Sequence, residues 1–213
     1  MEFEPNSGWL WLVPALAVGA VDWWSVAADR PIWEEKAKPL VMVALIGGCV
    51  WVGVEPSWLT AWIVGGLVFG LIGDVLLLPR IDNFIGGLAA FLIGHMSFLV
   101  GLLVAYPPSA TLWIGVAIGV VLMVGMGRRV LGGVKGSSLV VPVAAYMAAV
   151  SALVVVGWGT GQWLVGIGAT LFAASDGLLG VDRFVTGRHD RRVVVHILYH
   201  LGQILIVAGV VAL

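Results

Sequence analysis

Two aspartates lie inside long apolar stretches of the sequence. Asp74 lies in GLIGDVLLLP and Asp176 lies in TLFAASDGLL. Lipid cannot solvate a carboxylate, so an ionisable residue in a membrane segment marks a candidate functional site. Paired carboxyl groups suit acid–base hydrolysis, because burial and mutual repulsion let one keep its proton while the other stays charged. These residues therefore predict a paired-aspartate site, and which of the two is the acid stays open.

Other polar residues fall at a similar depth in the apolar stretches. Counting along a helix puts Asp74 roughly 9 Å from Arg80, and Asp176 roughly 10 Å from Arg183. Tyr199 and Gln203 are four positions apart and share one helix face. Each polar side chain has a structural alternative, in which it bonds backbone or a neighbouring helix. The residues that we expect to orient substrate and water beside the aspartates are His95, Tyr146, Ser175, Tyr199 and Gln203.

The composition is that of an integral membrane protein. Of 213 residues, 61% are hydrophobic and 11% are charged, whereas soluble domains are about 45–50% apolar and about 25% charged. At about 20 residues per span, the chain has room for about eight helices. We therefore expect one all-α transmembrane domain over residues 1–213. The expected spans are 9–28, 39–54, 58–79, 84–105, 111–126, 138–157, 161–180 and 193–213.

The basic residues predict the orientation. All 11 Lys and Arg residues lie in the first, third, fifth and seventh loops. By the positive-inside rule these loops are cytoplasmic and both termini are not. We expect a bacterial cytoplasmic membrane and a cavity open toward its cytoplasmic side. FGLIGDVLLLPRIDNF (69–84) resembles LFAASDGLLGVDRF (171–184), which suggests two similar four-helix halves. No basic tract suggests nucleic acid.

The pair Lys38 and Pro39 is predicted to open the second helix, since proline suits a first helical turn. A lysine at a positive helix start favours an anion there, such as a lipid phosphate.

These residues together resemble the lysoplasmalogenase family, also called YhhN-like. The matching pieces follow the family's order: KPL (38–40), GDVLLL (73–78), GHMSF (94–98), YMAAV (146–150), GATLFAASD (168–176), RF (183–184) and YHLGQILIVAG (199–209). Phe98, where the family leads us to expect tyrosine, and His200 depart from the pattern. The resemblance implies eight spans and hydrolysis of the vinyl ether bond of lysoplasmalogens, giving a fatty aldehyde and a glycerophospho-alcohol. It also implies that Asp74 and Asp176 are the catalytic pair.

Paired carboxyl groups suit this chemistry. Protonation of a vinyl ether at carbon gives an oxocarbenium ion, as in glycoside hydrolysis, and water then captures the cation. We expect Lys38 and Arg183 to bind the phosphate of the lysophospholipid, with membrane lipids around the protein and without a cofactor or a metal.

Two other functions remain open from the residues alone. The first is a metal-dependent intramembrane hydrolase of a lipid amide or ester, because His95, His200, Asp74 and Asp176 include plausible zinc ligands. The second is a proton-coupled small transporter or lipid-binding protein, because membrane Asp and His residues also form proton relays.

Overall fold

The computed structural model describes residues 8–188 and 190–212, which form helices joined by short turns. A 3-10 turn (Gly8–Leu12) leads into α1, and π-helical turns follow α5 (Met123–Gly127) and α8 (Asp182–Thr186). The helices are α1 (Val13–Ala27), α2 (Pro31–Val52), α3 (Ser57–Leu76), α4 (Phe84–Ala105), α5 (Leu112–Leu122), α6 (Arg128–Gly133), α7 (Val140–Gly159), α8 (Trp163–Val181) and α9 (Arg192–Val211).

Seven segments of the described chain are long and apolar enough to cross a membrane. They are α1 with its preceding turn from Trp9, α3, α4, the continuous segment Leu112–Gly133, α7, the segment Trp163–Thr186, and α9. The helix α2 is as long as α4 but carries Glu34, Glu35, Lys36 and Lys38 in its first half. These charges set α2 apart from the seven apolar segments. The seven long apolar helices confirm the predicted class, an all-α integral membrane protein.

The start of α2 differs from the prediction. We expected Lys38 and Pro39 to open this helix, but it begins seven residues before Lys38, at Pro31. Pro31 takes the favourable position in the first turn, and Pro39 lies inside the helix. The charged stretch that we assigned to a loop therefore forms two helical turns, and Lys38 is not at a helix N-terminus.

Glycines set the closest helix contacts. The helices α3 and α4 cross where a Cβ on Gly94 would lie 3.0 Å from the carbonyl oxygen of Gly66. The helices α8 and α9 cross where a Cβ on Gly168 would lie 2.7 Å from the carbonyl oxygen of Gly202. Small residues permit this approach of two backbones, on which helix association in lipid depends. Both crossings lie eight residues before an aspartate, Asp74 on α3 and Asp176 on α8.

Candidate active site

The carboxyl group of Asp74 is fully enclosed near the end of α3. The Tyr199 hydroxyl on α9 donates to its Oδ2 at 2.8 Å. The Lys38 Nζ on α2 lies 3.4 Å from its Oδ1, and the lysine side chain is only 11% exposed. Tyr199 also lies 3.5 Å from the sulfur of Met42. Asp74 thus joins three helices and has a largely enclosed cation as its neighbour.

The carboxyl group of Asp176 has a different set of neighbours. The Tyr146 hydroxyl on α7 donates to its Oδ2 at 2.7 Å. The Nε2 atom of His95 on α4 lies 3.7 Å from the same oxygen. His95 Nδ1 is 2.6 Å from the Phe91 carbonyl oxygen, which can only accept, so Nδ1 carries a hydrogen. In the neutral imidazole, the lone pair is therefore on Nε2, the atom that faces Asp176.

Aromatic rings connect the two carboxyl groups into one cluster. The Tyr199 ring packs on Phe172 with centroids 5.3 Å apart, and Phe172 packs on His95 at 4.7 Å. His95 in turn meets the Tyr146 ring edge-to-face at 5.2 Å. Phe91 completes the group, because its ring contacts Tyr199 at 5.8 Å. The predicted site residues from α3, α4, α7, α8 and α9 therefore lie together.

Asp176 borders an apolar pocket. Apart from Ser151, the polar side chains in its lining are Tyr146 and Asp176. Aliphatic, aromatic and methionine side chains form most of the rest, from the end of α3 through α4, α5, α7 and α8. Phe84 and Phe184 line the end near the α3–α4 and α8–α9 loops and meet edge-to-face at 5.2 Å. The pocket thus joins a carboxyl group to a surface suited to a hydrocarbon chain.

Arg183 stands beside the loop end of this pocket. Its guanidinium lies over the Phe84 ring, 5.2 Å from the centroid. Its Nη1 is 3.2 Å from Asp82 Oδ1, and both side chains are well exposed. A cation is therefore available where the apolar pocket approaches the loops.

Gln203 lies on the Asp74 side of the cluster, beside Gly70. A Cβ on Gly70 would lie 3.5 Å from the Tyr199 hydroxyl oxygen and 3.6 Å from Gln203 Nε2. Gln203 is buried, and neither its Nε2 nor its Oε1 has a hydrogen-bond partner in the described residues. The Oδ1 of Asp74 likewise makes no hydrogen bond there. Buried amides are normally satisfied, so this group of atoms has unused hydrogen-bonding capacity.

Ser175 has a role in helix packing. Its hydroxyl donates to the Val195 carbonyl oxygen of α9 at 2.8 Å. The neighbouring Asp176 faces the pocket instead.

Lys38 was expected to bind a lipid phosphate, but its ammonium faces Asp74 inside the bundle.

A second polar cluster lies outside the site residues predicted from the sequence. Asp22 on α1 is fully buried, and its Oδ2 lies 2.7 Å from His196 Nδ1. The Trp23 indole N–H donates to Nδ1 of buried His200 at 3.1 Å. On the same side, Arg192 binds both carboxylate oxygens of Glu34 at 2.6 Å.

A sequence signal for this cluster exists. Arg192, His196 and His200 recur every four residues and so share one face of α9.

Within the described residues, no group of three or more His, Cys, Asp or Glu side chains has an arrangement that could hold a metal ion.

Comparisons with known proteins give consistent matches. The YhhN family profile matches residues 33–210. The lysoplasmalogenase of Mycobacterium bovis is 31% identical over 182 residues, which cover 82% of this chain and 68% of that protein. The lysoplasmalogenase of Mycobacterium tuberculosis matches with the same figures. Human lysoplasmalogenase TMEM86B is 28% identical, covering 85% of this chain and 77% of that protein. No solved structure shows significant similarity.

Proposed function

This chain belongs to the YhhN family, and we propose that it hydrolyses the vinyl ether bond of a lysoplasmalogen. The products are a fatty aldehyde and a glycerophospho-alcohol. Relatives that carry the name lysoplasmalogenase match over more than four-fifths of the chain. The observation that carries the proposal is Asp176, with its bonded Tyr146 and adjacent His95, bordering an apolar pocket.

The substrate's chain lies in the apolar pocket. Most of the pocket lining is hydrocarbon or thioether, which suits an alkenyl chain. Arg183 at the loop end binds the phosphate, exchanging its exposed contact with Asp82 for a charge-assisted bond. Lys38 is left out of this role because its ammonium contacts enclosed Asp74. The vinyl ether then lies between the polar end of the pocket and Arg183.

Asp176 is the acid of the pair. It faces apolar surface, a phenol and an imidazole, and a carboxyl group in such surroundings keeps its proton. Asp74 has the Lys38 ammonium at 3.4 Å, and this cation favours the carboxylate. The two carboxyl groups therefore divide the roles, as acid and base do in glycoside hydrolases.

The proton balance closes over one turnover. Asp176 gives its proton to the vinyl carbon that is not bonded to oxygen, and the other vinyl carbon becomes part of an oxocarbenium ion. Water adds to that carbon and gives a proton to Asp74, forming a hemiacetal. Breaking the bond to the glycerol oxygen then takes the proton from Asp74 to that oxygen. The hemiacetal hydroxyl proton returns to Asp176, and both groups are restored.

Tyr199 and Gln203 orient the attacking water. Both present polar atoms beside Gly70, and the Tyr199 hydroxyl is bonded to Asp74. The unused donor and acceptor of Gln203 match the needs of a hydroxyl group. His95 positions the acid, Asp176, from the other side, with its Nε2 3.7 Å from Asp176 Oδ2.

The membrane arrangement is part of the proposal. The helix α2 would be an eighth span, with its charged first half at the cytoplasmic interface. The four basic loops would then be cytoplasmic and both chain ends would lie on the other side. The pocket end at Arg183 would open toward the cytoplasmic leaflet.

The test is turnover of three matched lysolipids by the purified protein. They share head group and chain length and differ only in a vinyl ether, alkyl ether or acyl linkage. We expect fatty aldehyde from the vinyl ether and no product from the other two. Release of fatty acid from the acyl compound, or no reaction with any of them, would overturn the proposal.

A further inference from the structure

The helices α2 and α9 run side by side in a constant register. Glu34 contacts Arg192 across a sequence separation of 158 residues, and Met42 contacts Tyr199 across 157. A nearly constant separation means that the two helices are parallel and advance together. Glu34 and Met42 are eight positions apart on one face of α2, so their contacts lie about 12 Å apart along the helix.

Lys38 lies midway between these two contacts. It follows Glu34 by four positions and therefore shares its face of α2. On α9, Tyr199 follows Arg192 by seven positions, or about two turns, again on one face. Lys38 and Tyr199 reach the two oxygens of Asp74 from these two helices. The register of α2 against α9 thus decides whether both meet the carboxyl group.

The Glu34–Arg192 contact is built to fix this register. One guanidinium nitrogen lies 2.6 Å from both carboxylate oxygens, and the glutamate side chain is only 5% exposed. Apolar surface gives little preference between registers in lipid, where neighbouring tails are equally apolar. A slip of one residue would shift Lys38 by about 1.5 Å along the axis and turn it by about 100°.

The helix α1 holds the other side of this arrangement. Asp22 and Trp23 contact His196 and His200, which lie one and two turns beyond Arg192. These bonds attach α9 to α1, whereas Glu34 attaches it to α2. The ion pair leads to the helix that carries Lys38, and His196 Nε2 lies 3.9 Å from the same glutamate, at Oε1.

We propose that Glu34 and Arg192 are a positioning pair, which holds α2 and α9 in the register that presents Lys38 and Tyr199 to Asp74. The proposal rests on the proposed function for the catalytic meaning of Asp74. The pair itself touches neither substrate nor the reacting atoms. The pair acts by positioning Lys38, the charged partner of the base Asp74.

The chain contains a matched control for this pair. Arg191, the residue before Arg192, forms an ion pair with buried Asp182 at the end of α8. This second pair also joins a buried carboxylate to the start of α9, but it leads to α8 rather than to α2. Asp182→Asn should therefore cost stability as Glu34→Gln does, while leaving Lys38 in place.

Amine labelling reads the position of Lys38 without any substrate. Lys36, exposed on the same helix, serves as an internal reference, so the ratio of Lys38 to Lys36 acetylation reports burial. We expect Glu34→Gln to raise this ratio at least about tenfold, following loss of about 1.4 kcal/mol of positioning energy, and Asp182→Asn to leave it within twofold. An unchanged ratio in Glu34→Gln, or an equal rise in both variants, would overturn the proposal.

Kinetics provide the second measurement. We expect Glu34→Gln to lower kcat about tenfold with KM nearly unchanged, because the chain pocket and Arg183 are untouched. The charge exchange Glu34→Arg with Arg192→Glu should restore both kcat and the labelling ratio. If Glu34→Gln does not fold, Arg192→Lys, which keeps the charge but replaces the planar guanidinium, should show smaller changes of the same kind. If the Lys38 to Lys36 labelling ratios are as expected but the protein does not cleave lysoplasmalogen, the proposed function is wrong and the role of the positioning pair is still supported.

Discussion

The surroundings of Asp74 and Asp176 are built on one plan and differ in their last details. Each aspartate follows a glycine crossing by eight residues, Gly66 with Gly94 in one half and Gly168 with Gly202 in the other. Each Oδ2 accepts a hydrogen bond from a tyrosine of another helix, at 2.8 Å and 2.7 Å. The glycine crossings are alike in the two places, whereas the tyrosines come from helices that are not counterparts, α9 for Asp74 and α7 for Asp176.

The differences support the proposed division of acid and base roles. The residue after the second glycine is His95 in one half and Gln203 in the other, so an imidazole stands where its counterpart is an amide. Asp74 is enclosed and has Lys38 beside it, while Asp176 borders the apolar pocket. Two carboxyl groups on one scaffold can thus take opposite protonation states, because their neighbours differ in charge and polarity.

The largest expected effect is that of Asp176→Asn. The amide cannot protonate carbon, so we expect kcat to fall by about 10²–10⁴-fold, the range of a lost general acid. Substrate binding should change little, because the pocket and Arg183 remain. Turnover of the vinyl ether lysolipid and its equilibrium binding measure the two effects. Retention of a tenth of wild-type kcat would remove Asp176 from the acid's role.

Asp74→Asn should differ in that it damages stability as well as activity. Lys38 would be left in the bundle without its carboxylate, which costs about 3–5 kcal/mol when a buried pair loses one partner. Adding Lys38→Met should recover most of the thermal stability but none of the activity. A double-mutant cycle of unfolding temperatures and kcat measures both. Equal stability of Asp74→Asn and wild type would contradict the ion pair.

The two tyrosines sharpen the comparison. We expect Tyr146→Phe to lower kcat about tenfold, since a hydrogen bond to a carboxyl group contributes about 1.5 kcal/mol. Tyr199→Phe should have a similar effect on kcat and should also reduce the stability gained from the Lys38–Asp74 pair. Measurements of kcat and unfolding temperature for the two variants compare the surroundings of Asp176, which borders the pocket, with those of Asp74, which is enclosed. Stability losses of equal size would argue that the two sides are equivalent.

Gly70→Ala tests the water position with a single methyl group. Its Cβ would make ordinary contacts with Tyr199, Gln203 and Met42 at 3.5–3.7 Å, so the helix should fold normally. The methyl group would occupy the space in front of the Gln203 amide, and we expect kcat to fall about fivefold, roughly 1 kcal/mol. The control is Gly47→Ala, where a Cβ meets nothing within 4 Å. Unchanged kcat in both variants would place the water elsewhere.

The smallest expected effect is that of chelation. The mechanism uses side-chain carboxyl groups, so incubation with EDTA followed by gel filtration should leave kcat within experimental error. Loss of activity that zinc restores would favour the metal-dependent alternative.

The sequence predicted which polar residues lie together better than it predicted their contacts. Isolated carboxylates in apolar stretches are costly enough to stand out, which is why Asp74 and Asp176 could be found from their context alone. The helix spacing also brought Tyr199 and Gln203 to one face, and the structure places both beside Gly70. Such features depend on local periodicity, which a single sequence records.

Contacts between distant helices could not be predicted in the same way. Lys38 looked like a phosphate ligand because Pro39 suggested a helix start, but the helix begins at Pro31 and turns Lys38 inward. Asp22 contacts His196 from 174 residues away, and the sequence did not predict this contact. Which helices become neighbours depends on packing across the bundle, and no local pattern encodes it.

The most direct test of the account is hydrolysis of a vinyl ether lysolipid in D2O. Proton transfer from Asp176 to carbon predicts an aldehyde with one deuterium on the carbon next to the carbonyl group, and Asp176→Asn should form almost none of it. An aldehyde without deuterium at that carbon, or the same deuterated product from Asp176→Asn at the wild-type rate, would contradict it.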